Sequence, residues 1–295
     1  MTFDEACKLT NDQARDYLEK LRWDGKPFCA HCACLEVTKL NGKATRPGVY
    51  KCKACRKQFT VTVGTIFEDS HIELRQWVKA FSLVCSSKKG ISAHQLYRML
   101  GLGSYKSAWH MAHRIRWAMQ NEPLKGLLTG VVESDETWIG GKIKGKGKGP
   151  ILDNKVAVQA LIQRRGPMAA RVIGRVTVKN LKNSFMELVS NDATLYTDEL
   201  QQYKPIARRF KKHKTVNHSD GEYARGNVHC NTAESYFALL KRGVHGTFHH
   251  VGKQHLQKYA DEFCFRWNHR ETTDAKRTEA ALRLAPGARL MYRTA

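Results

Sequence analysis

Three acidic residues, far apart in the chain, have the types and settings that metal-assisted phosphodiester chemistry requires: Asp135, Asp198 and Glu234. Asp135 sits in Val131-Val132-Glu133-Ser134-Asp135-Glu136-Thr137-Trp138, a run that reads as a strand ending in carboxylates. Asp198 closes a second short β-like run, Leu195-Tyr196-Thr197-Asp198, and Glu234 lies in a segment of helical spacing, Asn231 to Lys241. Magnesium prefers hard oxygen ligands and keeps several of its waters, so carboxylates are the side chains that hold it. Two such ions about 3.5–4 Å apart serve the attacking and the leaving oxygen of an in-line displacement. Rival ligands stay open at this point. Glu133 shares a strand face with Asp135, Glu136 takes the opposite face, and Asp220 precedes the helix. At about 100° per residue, Asn231, Glu234 and Lys241 fall within about 80° of one another. One helix face therefore offers an amide to orient a ligand or water, a carboxylate, and an ammonium to neutralise a phosphate.

A second constellation is Cys29-x2-Cys32, then nineteen residues, then Cys52-x2-Cys55. That spacing suits a four-thiolate zinc ribbon, in which four protein ligands leave no open coordination position, so the ion is structural. His31 and Cys34 are possible substitutes among the ligands. Cys7, Cys85, Cys230 and Cys264 are scattered and read as buried thiols. His245, His249, His250 and His255 lack thiols or carboxylates at ligand spacing, which favours phosphate or core contacts over a second metal site.

Elements that position these residues need material and a partner. The chain has 295 residues, enough for about two domains. Its 50 Lys+Arg against 27 Asp+Glu give a net charge of +23, which implies a polyanionic partner because neutralised phosphates release condensed counterions. The N-terminus carries early acid and no apolar signal core, and no window approaches the roughly 18 apolar residues of a membrane span. Reduced, metal-ligating thiols in a cytoplasmic, nucleoid-associated protein are the expectation.

Thr10 caps a helix over 10–22 in an N-terminal segment (1–27), and the ribbon follows (28–66). Residues 67–122 read as helices. Leu74, Trp77, Val78, Phe81 and Val84 form one amphipathic stripe; Ser92 caps a second helix, Gly101-Leu102-Gly103 turns, and Ser104 starts a third. The stretch from about 92 to 118 resembles a helix-turn-helix, with Lys106, His110, His113, Arg114 and Arg116 expected to face outward toward DNA. Past Pro123 the pattern turns to strands. A Gly-Lys loop (140–149) carries Lys142, Lys144 and Lys146, suited to a DNA backbone, and Val156–Ile162 and Ala170–Val178 suit a hairpin turning at Arg164-Arg165-Gly166-Pro167. Three strands, helix, strand, helix, strand, helix over 123–270 is the order of an α/β core of RNase H-like type, leaving 271–295 as a tail.

The chain also resembles bacterial insertion-sequence transposases of the DDE type that join an N-terminal zinc ribbon to an RNase H-like (integrase-like) catalytic domain. The matching residues are Glu133-Ser134-Asp135-Glu136-Thr137-Trp138 with Gly140-Gly141-Lys142, then Tyr196-Thr197-Asp198. The most specific match runs from Val228-His229-Cys230-Asn231-Thr232-Ala233-Glu234-Ser235 through Leu240-Lys241-Arg242-Gly243 and Gly246-Thr247-Phe248-His249-His250-Val251 to Glu262-Phe263-Cys264-Phe265-Arg266-Trp267-Asn268. Cys230 and Phe237 depart from the pattern without touching the acids. The resemblance implies that Asp135, Asp198 and Glu234 bind two Mg2+ (or Mn2+) ions and that transposon ends are cut and joined to target DNA. It also implies that Arg242 contacts double-stranded DNA and that at least a dimer forms during synapsis. Two other functions stay open: a non-catalytic zinc-ribbon regulator, and a structure-selective nuclease on the same fold.

Overall fold

The computed structural model describes residues 1–120, 124, 126–141, 155–287 and 290–291. Lys142, Lys144 and Lys146 lie outside the described residues. The chain divides into two units, one formed by Met1–Glu122 with Glu271–Ala295 and the other by Pro123–Arg270.

In the first unit, α1 (Phe3–Lys8) and α2 (Asn11–Trp23) each start at a threonine capping box; Thr10 accepts from the Gln13 amide while the Gln13 side chain accepts from the Thr10 amide. The ribbon strands β1 (Val37–Lys39), β2 (Tyr50–Cys52) and β3 (Gln58–Phe59) form an antiparallel sheet in that order. So small a sheet has little core of its own, and Trp23 from α2 supplies one by packing edge-on against Tyr50 at 5.1 Å and Phe59 at 6.0 Å.

Three helices follow: α3 (Leu74–Ser86), α4 (Ala93–Leu100) and α5 (Tyr105–Gln120). Ser92 caps α4 by accepting from the Gln95 amide at 3.1 Å, and Gly101, at φ 59, ends it in the left-handed region. The face expected to point outward on α5 is corrected by the structure. His113, Arg114 and Arg116 are buried, at 0%, 6% and 2% exposure. The Arg114 guanidinium donates to the carbonyls of Glu68 at 2.8 Å and Leu290 at 3.3 Å, so its charge serves the interior. His110 is half-buried against the Leu290 carbonyl. From Met111 to Met119 only Trp117 escapes burial, so α5 is a central helix, not a groove-facing one. Lys106, in its first turn, is exposed.

The second unit holds a five-stranded sheet in the order β6-β5-β4-β7-β8. The hairpin β5 (Val156–Gln163) and β6 (Met168–Gly174) packs antiparallel beside β4 (Val131–Ile139), while β7 (Thr194–Thr197) and β8 (Lys212–Thr215) run parallel to it. α6 (Val178–Leu188) and α7 (Tyr203–Ala207) are the connections, and α8 (Asn231–Gly243) and α9 (Leu256–Asn268) follow β8. The apolar run of β5 is buried on both faces because helices cover both. On one face Val158, Ala160 and Ile162 meet Tyr236, Phe237 and Leu240 of α8 and Phe263 of α9. On the other, Val132, Leu161 and Leu195 meet Leu181 and Phe185 of α6 and Tyr203 of α7. This is a mixed α/β, RNase H-like core.

The chain then re-enters the first unit with α10 (Asp274–Arg283), where the sequence reading leaves a tail. Thr273 caps it, Ala281 and Leu282 are buried, and Arg277 donates to the Cys85 carbonyl at 3.1 Å. Its buried stripe of Thr278, Ala281 and Leu282 is short and holds one large apolar side chain, which is why the pattern alone does not call for a packed helix. No described helix is long and apolar enough to cross a membrane.

Candidate active site

Strand register brings the first two acids side by side. β4 and β7 pair in parallel as Val131↔Thr194, Val132↔Leu195 and Glu133↔Tyr196. Two residues further on, the same register sets Asp135 level with Asp198, on the face that α8 and α9 cover. Asp198 leaves the ladder at its end, where its carboxylate accepts the Leu200 amide at 3.1 Å. Asp135 accepts only the amide of its own neighbour Glu136, at 2.8 Å, and has no ion pair among the described residues.

The third acid arrives on α8, and Glu133 fixes where that helix begins. Glu133 is fully buried and faces the first turn of α8. Its Oε2 accepts the amides of Thr232 at 2.9 Å and Ala233 at 3.3 Å, and its Oε1 accepts the Thr232 hydroxyl at 2.8 Å. A carboxylate at this place satisfies orphan amides and complements the helix dipole. Arg164 balances the charge, donating through Nε to Glu133 at 2.6 Å, through Nη1 to the Asn227 carbonyl at 2.6 Å and through Nη2 to His229 Nδ1 at 2.9 Å. The guanidinium also lies over the Tyr196 ring at 4.7 Å. Glu133, a rival ligand by sequence, is thus committed to holding the helix that carries Glu234. Glu136, the other rival, turns to the opposite face and accepts the Tyr203 hydroxyl at 2.5 Å.

The electrostatics follow the geometry. Burial pushes the Asp135 carboxyl up to about 6; Asp198 and Glu234 add to the rise, and the Glu136 amide and His218 oppose it. Burial likewise raises Asp198, with Glu199 adding and the Leu200 amide and His218 opposing. Glu136 is pushed up to about 8, chiefly by burial, with Asp135 and Asp198 adding and the Tyr203 hydrogen bond opposing. Asp135 therefore lies within reach of the charges of Asp198 and Glu234, and among the described residues no lysine or arginine pairs with the three. Their oxygens do not all approach within 4.8 Å of one another, as the ribbon thiols do. A hard divalent cation is what such a donor set lacks, and the residues fit one.

His218 stands beside the acids because Glu199 clamps its turn, accepting the amides of His218 at 3.0 Å and Ser219 at 3.2 Å. Asn231 and Glu234 are exposed on α8, as are Lys241 and Arg242. Lys241 lies seven residues, about 10.5 Å, down the helix from Glu234, so the shared face does not make it a neighbour of the acids. Asp220 is held by the Asn217 side chain within its own turn.

In the ribbon, the sulfurs of Cys29, Cys32, Cys52 and Cys55 all lie within 4.8 Å of one another. Cys29 and Cys55, and Cys32 and Cys52, stand 3.6 Å apart, close to the roughly 3.8 Å that tetrahedral Zn–S bonds of about 2.3 Å require. Ala33 and Arg56, each just past a Cys-x2-Cys pair, both take φ 60 and form matching knuckles. Cys34 accepts the Glu36 amide and His31 meets the Gln58 carbonyl, so neither belongs to the cluster.

Residues 9–58 match the transposase zinc-ribbon domain, and residues 127–268 match the ISXO2-like transposase domain. The chain belongs to the insertion-sequence transposases with an N-terminal zinc ribbon. The transposase is also similar, at 28% identity over 276 residues, to an uncharacterized protein in transposable element ISH50 of Halobacterium salinarum, the match spanning 88% of this chain and 91% of the relative. The four-cysteine cluster is the structural zinc site of its ribbon. Sequence reasoning missed Arg164, which it placed in a hairpin turn, and the clamp that Glu199 makes on His218. The only signal for Arg164 was a buried acid needing a partner.

Proposed function

We propose that this transposase cuts transposon ends to leave a 3′-hydroxyl and joins that hydroxyl to target DNA, with Asp135, Asp198 and Glu234 as its metal-binding acids. The observation that carries the reading is the β4–β7 register, whose last pair, Glu133↔Tyr196, lies two residues before Asp135 and Asp198. Bound between these carboxylates, two Mg2+ or Mn2+ ions would supply Lewis-acid stabilisation of the attacking and leaving oxygens.

The chain's own residues do the rest. Glu133 and Arg164 hold the start of α8, the helix that carries Glu234 toward the strand-end aspartates. Asn231 orients a ligand or water from the first turn of α8, while Lys241 and Arg242 meet DNA phosphates further along the helix. Of Lys106, Arg114 and Arg116, Lys106 alone is exposed and so available to DNA. Synapsis of two ends calls for at least two chains.

A strand-transfer assay with the flanking terminal repeats tests this. Wild type should join ends in Mg2+, whereas Asp135→Ala, Asp198→Ala and Glu234→Gln should each abolish joining while retaining DNA binding. Joining by any of the three variants would remove that acid from the site, and cutting without joining would make the protein a nuclease.

A further inference from the structure

Six cations crowd the stretch from α7 to the end of β8, with no acid among them: Lys204, Arg208, Arg209, Lys211, Lys212 and Lys214. All six are exposed, and none forms an ion pair with a described residue. Several cations elsewhere find carboxylates, as Arg75 does with Glu73, Arg171 with Glu187 and Arg283 with Glu279. Unneutralised clustering of this kind carries a self-repulsion that only a polyanion relieves.

Register gives the cluster a direction. Among the described residues β8 pairs with β7 alone and no strand lies on its outer edge. Lys212 pairs with Thr194 and Lys214 with Tyr196, and Tyr196 in turn pairs with Glu133. Paired residues share a face and alternate residues return to it, so Lys212 and Lys214 project from the same sheet face as Asp135 and Asp198. The two lysines stand about 6.6 Å apart along the strand, near two axial steps of a DNA strand at about 3.4 Å each. Lys214 falls two residues short of level with Asp198 on the adjacent strand, a backbone separation of about 8 Å.

The stretch presents charge in place of aromatic surface. Tyr203 and Phe210 are buried, and His213 turns inward to Thr197 Oγ1 at 2.9 Å. Lysine and arginine charges are left facing out, and contacts of such groups to phosphates position a duplex without reading its sequence. We propose that this edge is the track on which target DNA lies, gripped through its phosphates irrespective of sequence and delivered to the acids at the sheet's end. The inference rests on the transposase chemistry proposed above. Its rival is a charged edge that merely blocks pairing with another sheet.

The test uses the full chain carrying Arg208→Gln, Arg209→Gln, Lys212→Gln and Lys214→Gln together. Binding to a short duplex of unrelated sequence is titrated over a range of salt, and end cutting and joining are followed separately on terminal-repeat DNA. The expected result is a salt slope shallower by about 2–4, at about 0.9 for each phosphate that the variant no longer neutralises. Joining should fall at least tenfold at about 0.15 M salt and recover at low salt, with end cutting retained. An unchanged slope would overturn the proposal, and new self-association of the variant would then assign the edge its blocking role. Equal loss of cutting and joining, with weaker binding to the terminal repeat than to unrelated DNA, would also overturn it, since the track would then hold the transposon end. If wild type neither cuts nor joins, the catalytic reading fails, and the slope still decides whether this edge holds DNA.

Discussion

Glu133 and Asp135 stand two residues apart on the same face of β4, and the protein treats them in opposite ways. Glu133 is fully buried yet saturated, with two helix amides, a hydroxyl and the Arg164 guanidinium on its oxygens. Asp135 is half-buried, has one neighbouring amide, and meets the charges of Asp198 and Glu234 in place of a cation. One carboxylate has been given everything a buried charge needs, and the other has been denied it. The first arrangement builds a scaffold; the second leaves a demand for positive charge that a ligand can meet.

The contrast predicts effects of opposite sign. Glu133→Ala strands the Arg164 guanidinium and uncaps α8, so unfolding in urea should show a loss of about 3–5 kcal/mol. A loss below about 1 kcal/mol would mean that the network contributes nothing net. Mg2+ should raise the stability of wild type by about 2.7 kcal/mol at a hundredfold excess over its Kd, and that of Asp135→Asn far less. Equal stabilisation of both would place the ion elsewhere.

The smallest effect is the most diagnostic. An acid whose folded pKa lies above its unfolded value costs stability only where it ionises. For Asp135 the cost is absent below 3.8, grows between 3.8 and about 6, and is complete above that. Without divalent ions, the shift is worth about 3 kcal/mol before solvent screening of the half-buried carboxylate, so Asp135→Asn should stabilise the protein by about 2 kcal/mol at pH 8 and lose this advantage as the pH falls toward 4. Stability curves of the two proteins that stay parallel across that range would refute the uncompensated charge.

Much of this was legible in the sequence because the signals are local. The zinc cluster is made of two Cys-x2-Cys pairs, each a single knuckle, and spacing alone identifies such ligands. Asp198 was legible as a strand end, and Ser92 and Gly101 as the limits of a helix. The outer face of α5 was not. Periodicity assigns Arg114 and Arg116 to a polar side, but a helix enclosed along most of its length has no such side, and Arg114 meets carbonyls 46 and 176 residues away in sequence. Arg164 escaped for the same reason: its partners Glu133 and His229 lie 31 and 65 residues distant.

The sequence by itself determined the zinc ligands, the excess of positive charge and the order of strands and helices in the sheet-bearing unit. These follow from residue type, charge count and period, which need no knowledge of distant neighbours. Only the tertiary structure decided which of several adjacent carboxylates were compensated and which were left open. That choice depends on parallel register between β4 and β7, on the helix terminus aimed at Glu133, and on the guanidinium that reaches it from a hairpin turn. Neighbouring acids of like chemistry differ only in what the fold brings to them.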